Sequence, residues 1–67
     1  SKLINDLVGK QCIIRSEFIF SFAGKTELSC KIIDADDEWI KICYTEKKDK
    51  QVVKLMRIEN IESIEEQ

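Results

Sequence analysis

Leu28-Ser-Cys30-Lys-Ile32 and Ile40-Lys-Ile42-Cys-Tyr44 lie on either side of the acidic string Asp34-Ala-Asp-Asp-Glu38. Both alternate apolar with polar residues at period two, the mark of a strand with one face buried. Two such strands around a turn cluster predict an antiparallel hairpin. Opposite residues of an antiparallel pair point to the same face. Pairing Ile32 with Ile42 or Ile40 therefore puts Leu28, Cys30, Ile32, Ile40, Ile42 and Tyr44 on one face. A slip of one residue would mix isoleucines with Lys31 and Lys41, which disfavours it. The turn holds no glycine, so a loop of about three to five residues is expected rather than a tight primed turn. The hairpin points to a small β-barrel or β-sandwich.

Working outward, Lys2 to Val8 reads as a short amphipathic helix with Leu3, Leu7 and Val8 on one face and Gly9 placed to end it. Gln11 to Phe22 reads as the first strand. Cys12, Ile14, Phe18, Phe20 and Phe22 share one parity, while Ile13, Ile19 and Ala23 share the other, as in a strand that bends to close a barrel. Gly24-Lys25 is the next turn. The second strand is expected over Thr26 to Ile33, the third over Trp39 to Thr45 and the fourth over Gln51 to Arg57. In the fourth, Val53 and Leu55 are assigned inward and Val52, Lys54 and Met56 outward. Ile58-Glu-Asn60 is a sharp connection, and Ile61 to Ile64 a very short fifth strand. The fold class is mainly β: a single domain, residues 1–67, forming a five-stranded small antiparallel barrel with a short N-terminal α-helix.

A chain of 67 residues buries only about 60% of its unfolded surface, so a stability of about 3–10 kcal/mol is expected. Thirteen acidic residues outweigh eleven basic ones, giving a net charge of −2, without the basic excess of a dedicated nucleic-acid binder. Cys12, Cys30 and Cys43 form no CxxC pair and have no histidine beside them, so they read as small buried apolar groups in a reducing compartment rather than zinc ligands. The Asp34–Glu38 string lacks the glycine and the distal glutamate of a calcium loop. Without histidine, Ser-His and Cys-His catalysis are impossible. No apolar run is long enough to span a membrane and no signal-peptide pattern is present. The expectation is a soluble, cytoplasmic, non-enzymatic chain with no cofactor, no metal and no membrane association.

Helix, four strands, a one-turn connection and a last strand is the element order of the Sm-like barrel. Leu55-Met-Arg57-Ile-Glu-Asn60-Ile61 resembles the second Sm signature: an aliphatic pair, Arg, Gly, Asp or Glu, Asn and an aliphatic residue. Arg57, Glu59, Asn60 and Ile61 match, and Ile58 replaces the glycine. Asp34 stands where the first signature has its acidic residue, with Glu38 in place of the RNA-facing asparagine. Small SH3-like barrels share the strand-turn-strand ending. The Sm-like resemblance implies a barrel whose fourth strand pairs with the fifth strand of the next subunit, and a grip on uridine-rich RNA by the asparagine of the first signature and the arginine and glycine of the second. Glu38 and Ile58 occupy two of those three places.

The outward face of the second to fourth strands is expected to carry Lys31, Ile33, Trp39, Lys41, Cys43, Val52, Lys54 and Met56. Mixed basic and large apolar side chains suit protein interfaces and stacked bases alike. The alternative is that the helix and the sheet's curvature cover Ile33, Trp39 and Met56, leaving ordinary solvated lysines. Arg57 and Asn60 are the other candidate contacts. Their structural alternative is an Arg57 paired with Glu59, Glu62 or an acid of the Asp34 loop, and an Asn60 in a left-handed turn. Lys31, Trp39, Lys41, Lys54, Arg57 and Asn60 are thus the candidate partner or RNA contacts. The functional expectation is a protein–protein association module, including self-association through sheet edges to give a homo-oligomer. Sm-type RNA binding is the second reading.

Overall fold

The computed structural model describes residues 2–67, and the elements below are those of the described residues. In chain order they are α1 (Lys2–Asn5), β1 (Gln11–Arg15), a 3-10 turn (Glu17–Ile19) running into α2 (Phe20–Ala23), β2 (Glu27–Ala35), β3 (Trp39–Thr45), a 3-10 turn (Lys47–Asp49), β4 (Gln51–Arg57), a 3-10 turn (Ile58–Asn60) and β5 (Ser63–Glu66). The fold is mainly β, with a short N-terminal helix as expected. All strands are antiparallel, in the order β4-β3-β2-β1-β5. The sheet does not close: β4 and β5 are its two edges, so the barrel is approximate.

The hairpin that decided the fold forms as expected. β3 has the expected boundaries, Ile32 is paired with Ile42, and Leu28, Cys30, Ile32, Ile40, Ile42 and Tyr44 are all buried. The loop between the strands is three residues, 36–38. The Asp36 carboxylate organises it by accepting from the backbone N–H of Glu38 at 2.8 Å and Trp39 at 2.7 Å. A bulge at Ile33 separates the Ile32–Ile42 pair from Asp34–Lys41. The extra residue restarts the alternation, so Asp34 faces out and Ala35 packs on the core.

The first strand ends at Arg15, seven residues before the expected limit at Phe22. Ser16 stops it. Its extended backbone, φ −167° and ψ 139°, is that of a helix N-cap, and its hydroxyl accepts from the Phe18 N–H. Gly24, at φ 73°, closes the helical segment in the left-handed conformation that glycine adopts without a Cβ penalty. Between the caps, Ile19, Phe22 and Ala23 recur at i, i+3 and i+4 and pack on the core, while Phe18 and Phe20 are exposed. The Phe-x-Phe-x-Phe alternation imitates a strand and hides this helical stripe.

The N-terminal helix is also shorter than expected. Its α-turn ends at Asn5, and i+3 bonds from Leu7 to Ile4 and from Val8 to Asn5 continue the coil as a tighter turn. Ile4 and Leu7 pack on the core, whereas Leu3 and Val8 are exposed. Gly9, at φ 88°, donates its N–H to Ile32, whose own N–H donates to Lys10, so the chain enters β1 through a glycine-led bulge.

β4 keeps its expected limits but presents the opposite face. Met56 is fully buried and Val52 half-buried, while Val53 and Leu55 are exposed. The register explains the reversal: Ile40 faces Met56, Ile42 faces Lys54 and Tyr44 faces Val52, so residues 52, 54 and 56 must share the core side. Ile61, expected to begin β5, lies before it and packs on the core, and Ile64 is opposite Ile14.

The core thus fills one face of the sheet, roofed by α1, the Glu17–Ala23 segment and the Ile58–Ile61 connection. Fully buried Ser16 ties the roof together: its hydroxyl donates to the Asn60 carbonyl, 44 residues away. Ile42→Ala should destabilise the fold by about 2–5 kcal/mol through loss of buried area and a residual cavity. Ser16→Ala should cost about 1–3 kcal/mol through the lost cap and an unsatisfied carbonyl. Urea denaturation of the variants checks both values.

Candidate functional site

The side of the sheet away from the core is formed by alternate residues of the strands. Across β3 and β4 its cross-strand pairs are Trp39–Arg57, Lys41–Leu55, Cys43–Val53 and Thr45–Gln51, and β2 adds Lys31 beside Cys43. This face changes character from one edge to the other. Toward β1 and β5 it is polar: the Gln11 amide donates to the Ser29 hydroxyl at 3.2 Å, and that hydroxyl donates to Gln67 at 2.6 Å. Toward the β4 edge it is apolar, with Val53 60% exposed, Leu55 53% and Trp39 38%.

Of the candidate contacts, Lys31, Trp39, Lys41 and Arg57 share this outer face. Ile33 is exposed in the bulge, so neither it nor Trp39 is covered. Lys54, Val52 and Met56 belong to the core face, contrary to their sequence assignment. The Lys54 ammonium sits 4.1 Å from the Phe22 ring centroid, a cation–π contact that explains how a lysine is accommodated opposite Ile42. Asn60 lies in the turn before β5, and the left-handed residues other than glycine among those described are Lys48 and Asp49, not Asn60. The structural use of Asn60 is its carbonyl, which holds Ser16.

Arg57 is engaged three ways. Its guanidinium lies 4.9 Å from the Trp39 ring centroid, 3.5 Å from a Glu38 carboxylate oxygen and 3.9 Å from Glu59. Glu38 and Glu59 both approach it, so a phosphate would have to displace carboxylates. The residue that stands where the Sm signature has asparagine is therefore the one that helps neutralise the arginine.

Val53 and Leu55 are the exposed surface residues that sequence reasoning placed inside. The signal that could have found them was the hairpin register: once Ile40 and Ile42 face inward, their β4 partners must do so too. Apolar residues on both parities of β4 masked it.

The three cysteines divide. Cys12 and Cys30 are buried directly opposite each other across β1 and β2 as free thiols, and burial pushes Cys30 up to about 12 and raises Cys12 as well. Cys43, expected on the outward face but also among the buried thiols, is on that face and half-buried, with its Sγ 3.0 Å from the Gln51 Oε1. Among the described residues no three His, Cys, Asp or Glu side chains converge as metal ligands, and no helix is long and apolar enough to cross a membrane. Comparison with protein-family models, with curated proteins and with solved structures returned no match.

In the native protein Cys43 should react first with Ellman's reagent, and Cys12 and Cys30 only on unfolding; three equally fast thiols would contradict the burial. The folded Cys30 thiol keeps its proton to about pH 12, against an ordinary value of 9.0. Its contribution to stability is therefore intact below pH 9 and is lost as the pH rises toward 12, which a series of alkaline melts on the Cys30→Ala variant and its parent would separate.

Proposed function

We propose that this chain is a non-enzymatic association module that assembles with copies of itself through its two free sheet edges. The observation that carries the reading is the position of β4 and β5 at opposite edges of an open sheet, each with one side of its backbone unpaired. An unpaired edge without proline is a template for another strand. The Sm-like resemblance implies this pairing, the β4 of one copy with the β5 of the next.

Charge supports the same arrangement. Lys47, Lys48 and Lys50 lead into β4, while Glu62, Glu65 and Glu66 surround and form β5. Unlike edges attract in a head-to-tail contact, which closes as a ring when the rotation allows. Exposed Val53 and Leu55 flank the β4 edge and offer apolar area to bury.

Light scattering at high micromolar concentration is expected to give a mass of more than one chain. Glu65→Lys with Glu66→Lys should lower that mass, and mixing this variant with a Lys48→Glu, Lys50→Glu copy should recover it. A monomer at high micromolar concentration overturns the reading. Uridine-rich RNA is expected to bind weakly near physiological salt, because Glu38 and Glu59 screen Arg57. Submicromolar RNA affinity abolished by Arg57→Ala or Asn60→Ala would replace association by Sm-type RNA binding as the function.

A further inference from the structure

On the core side, where the sheet is left open, a groove of about 430 Å³ runs between the helical segment ending at Ala23 and the end of β3. Phe22, Leu28 and Tyr44 line it with apolar surface, and Lys25, Glu46 and Lys47 stand around it. Among the described residues Lys25 and Lys47 form no ion pair. Lys54, over the Phe22 ring, lies outside the lining of the groove. Cations therefore outnumber the single acid around an apolar trough.

Tyr44 supplies the second observation. The residue is only 7% exposed, yet its hydroxyl makes no hydrogen bond among the described residues. No fully buried side-chain polar atom lacks a partner among those residues, so the Tyr44 hydroxyl retains access to solvent, and its ring leans on Phe22 at the groove. It is a polar group left unpartnered at the edge of an apolar trough.

The rings also restrict what fits. Phe22 carries Lys54 over its face, Phe18 edge-on at 5.8 Å and Tyr44 at 5.8 Å. It has little free ring face on which a base could stack. A slender aliphatic chain needs only the trough, and its acid head would meet the lysines and the tyrosine hydroxyl. We propose that this groove is a binding site for a single-chain aliphatic carboxylate of medium length. The volume, near the lower end of the roughly 300–1,000 Å³ of small-molecule sites, suits such a ligand.

The groove does not use the β4 or β5 backbone, but Lys47 also belongs to the basic stretch before β4, so light scattering of the Lys25→Glu, Lys47→Glu variant at the titration concentration separates lost assembly from lost binding. The test is a titration of the full chain with octanoate, followed by backbone amide chemical shifts. Saturable shifts are expected at Phe22, Ala23, Leu28 and Tyr44. Each methylene added from hexanoate to decanoate should strengthen binding by roughly twofold, about half of the full-burial value, because the trough is open to solvent along one side. Tyr44→Phe, which keeps the ring and removes the hydroxyl, should weaken octanoate by roughly threefold to tenfold. Lys25→Glu with Lys47→Glu changes only solvated side chains, leaves the core intact, and should weaken it by roughly fivefold to tenfold. Equal binding of octylamine, shifts centred on Val53 and Leu55, or an affinity unmoved by the charge reversal would each overturn the proposal.

Discussion

A single sheet with one apolar face must be covered, and in this chain the cover depends on the hydroxyl of Ser16. It ends β1, caps the helical segment that carries Ile19 and Phe22 over the core, and holds the Asn60 carbonyl of the last connection. A strand running on to Phe22 would not bring Ile19, Phe22 and Ala23 together onto the core they now pack against. One fully buried polar side chain, paired as both donor and acceptor, thus substitutes for the second sheet of a sandwich. In 67 residues there is little else to share that task.

The hairpin was legible because its physics is local and unambiguous. Leu28 to Ile32 and Ile40 to Tyr44 have their large apolar residues on one parity, with only the small Cys43 on the other, so the alternation sets the face, and the face sets the register. β4 has apolar residues on both parities, and its charge pattern favours the wrong one: Lys54 reads as outward although an aromatic ring receives it on the core side. Only the tertiary register decides between Val52 with Met56 and Val53 with Leu55. The Phe18-x-Phe20-x-Phe22 string failed for a related reason, since its strand-like period competes with capping signals at Ser16 and Gly24 that act through single hydrogen bonds and one dihedral angle. Among the candidate contacts, Lys31, Trp39 and Lys41 share a face because β2 and β3 can be placed from their alternation. The reversed face of β4 brings Arg57 onto that side and takes Lys54 off it.

Arg57 shows how one position can be drawn into structure. Stacked on Trp39 and flanked by Glu38 and Glu59, it joins the Asp36 turn to the start of the last connection. Exposed ion pairs of this kind stabilise by at most about 1 kcal/mol. Their stronger effect is on what the surface repels: two carboxylates beside the guanidinium make this end of the sheet unwelcoming to polyanions. The other end of the molecule has the reverse balance, with Lys25 and Lys47 outnumbering Glu46.

The bulge at Ile33 gives the hairpin a spare link. Ile32 faces Ile42 and Asp34 faces Lys41, so nothing on β3 opposes the residue between them. Excising it would leave every cross-strand partnership intact and the apolar and polar sides unexchanged. Excising any residue from Leu28 to Ile32 would instead invert one arm of the hairpin relative to the other. Chain length can therefore drift at this one point during evolution without being read as a frameshift of the fold.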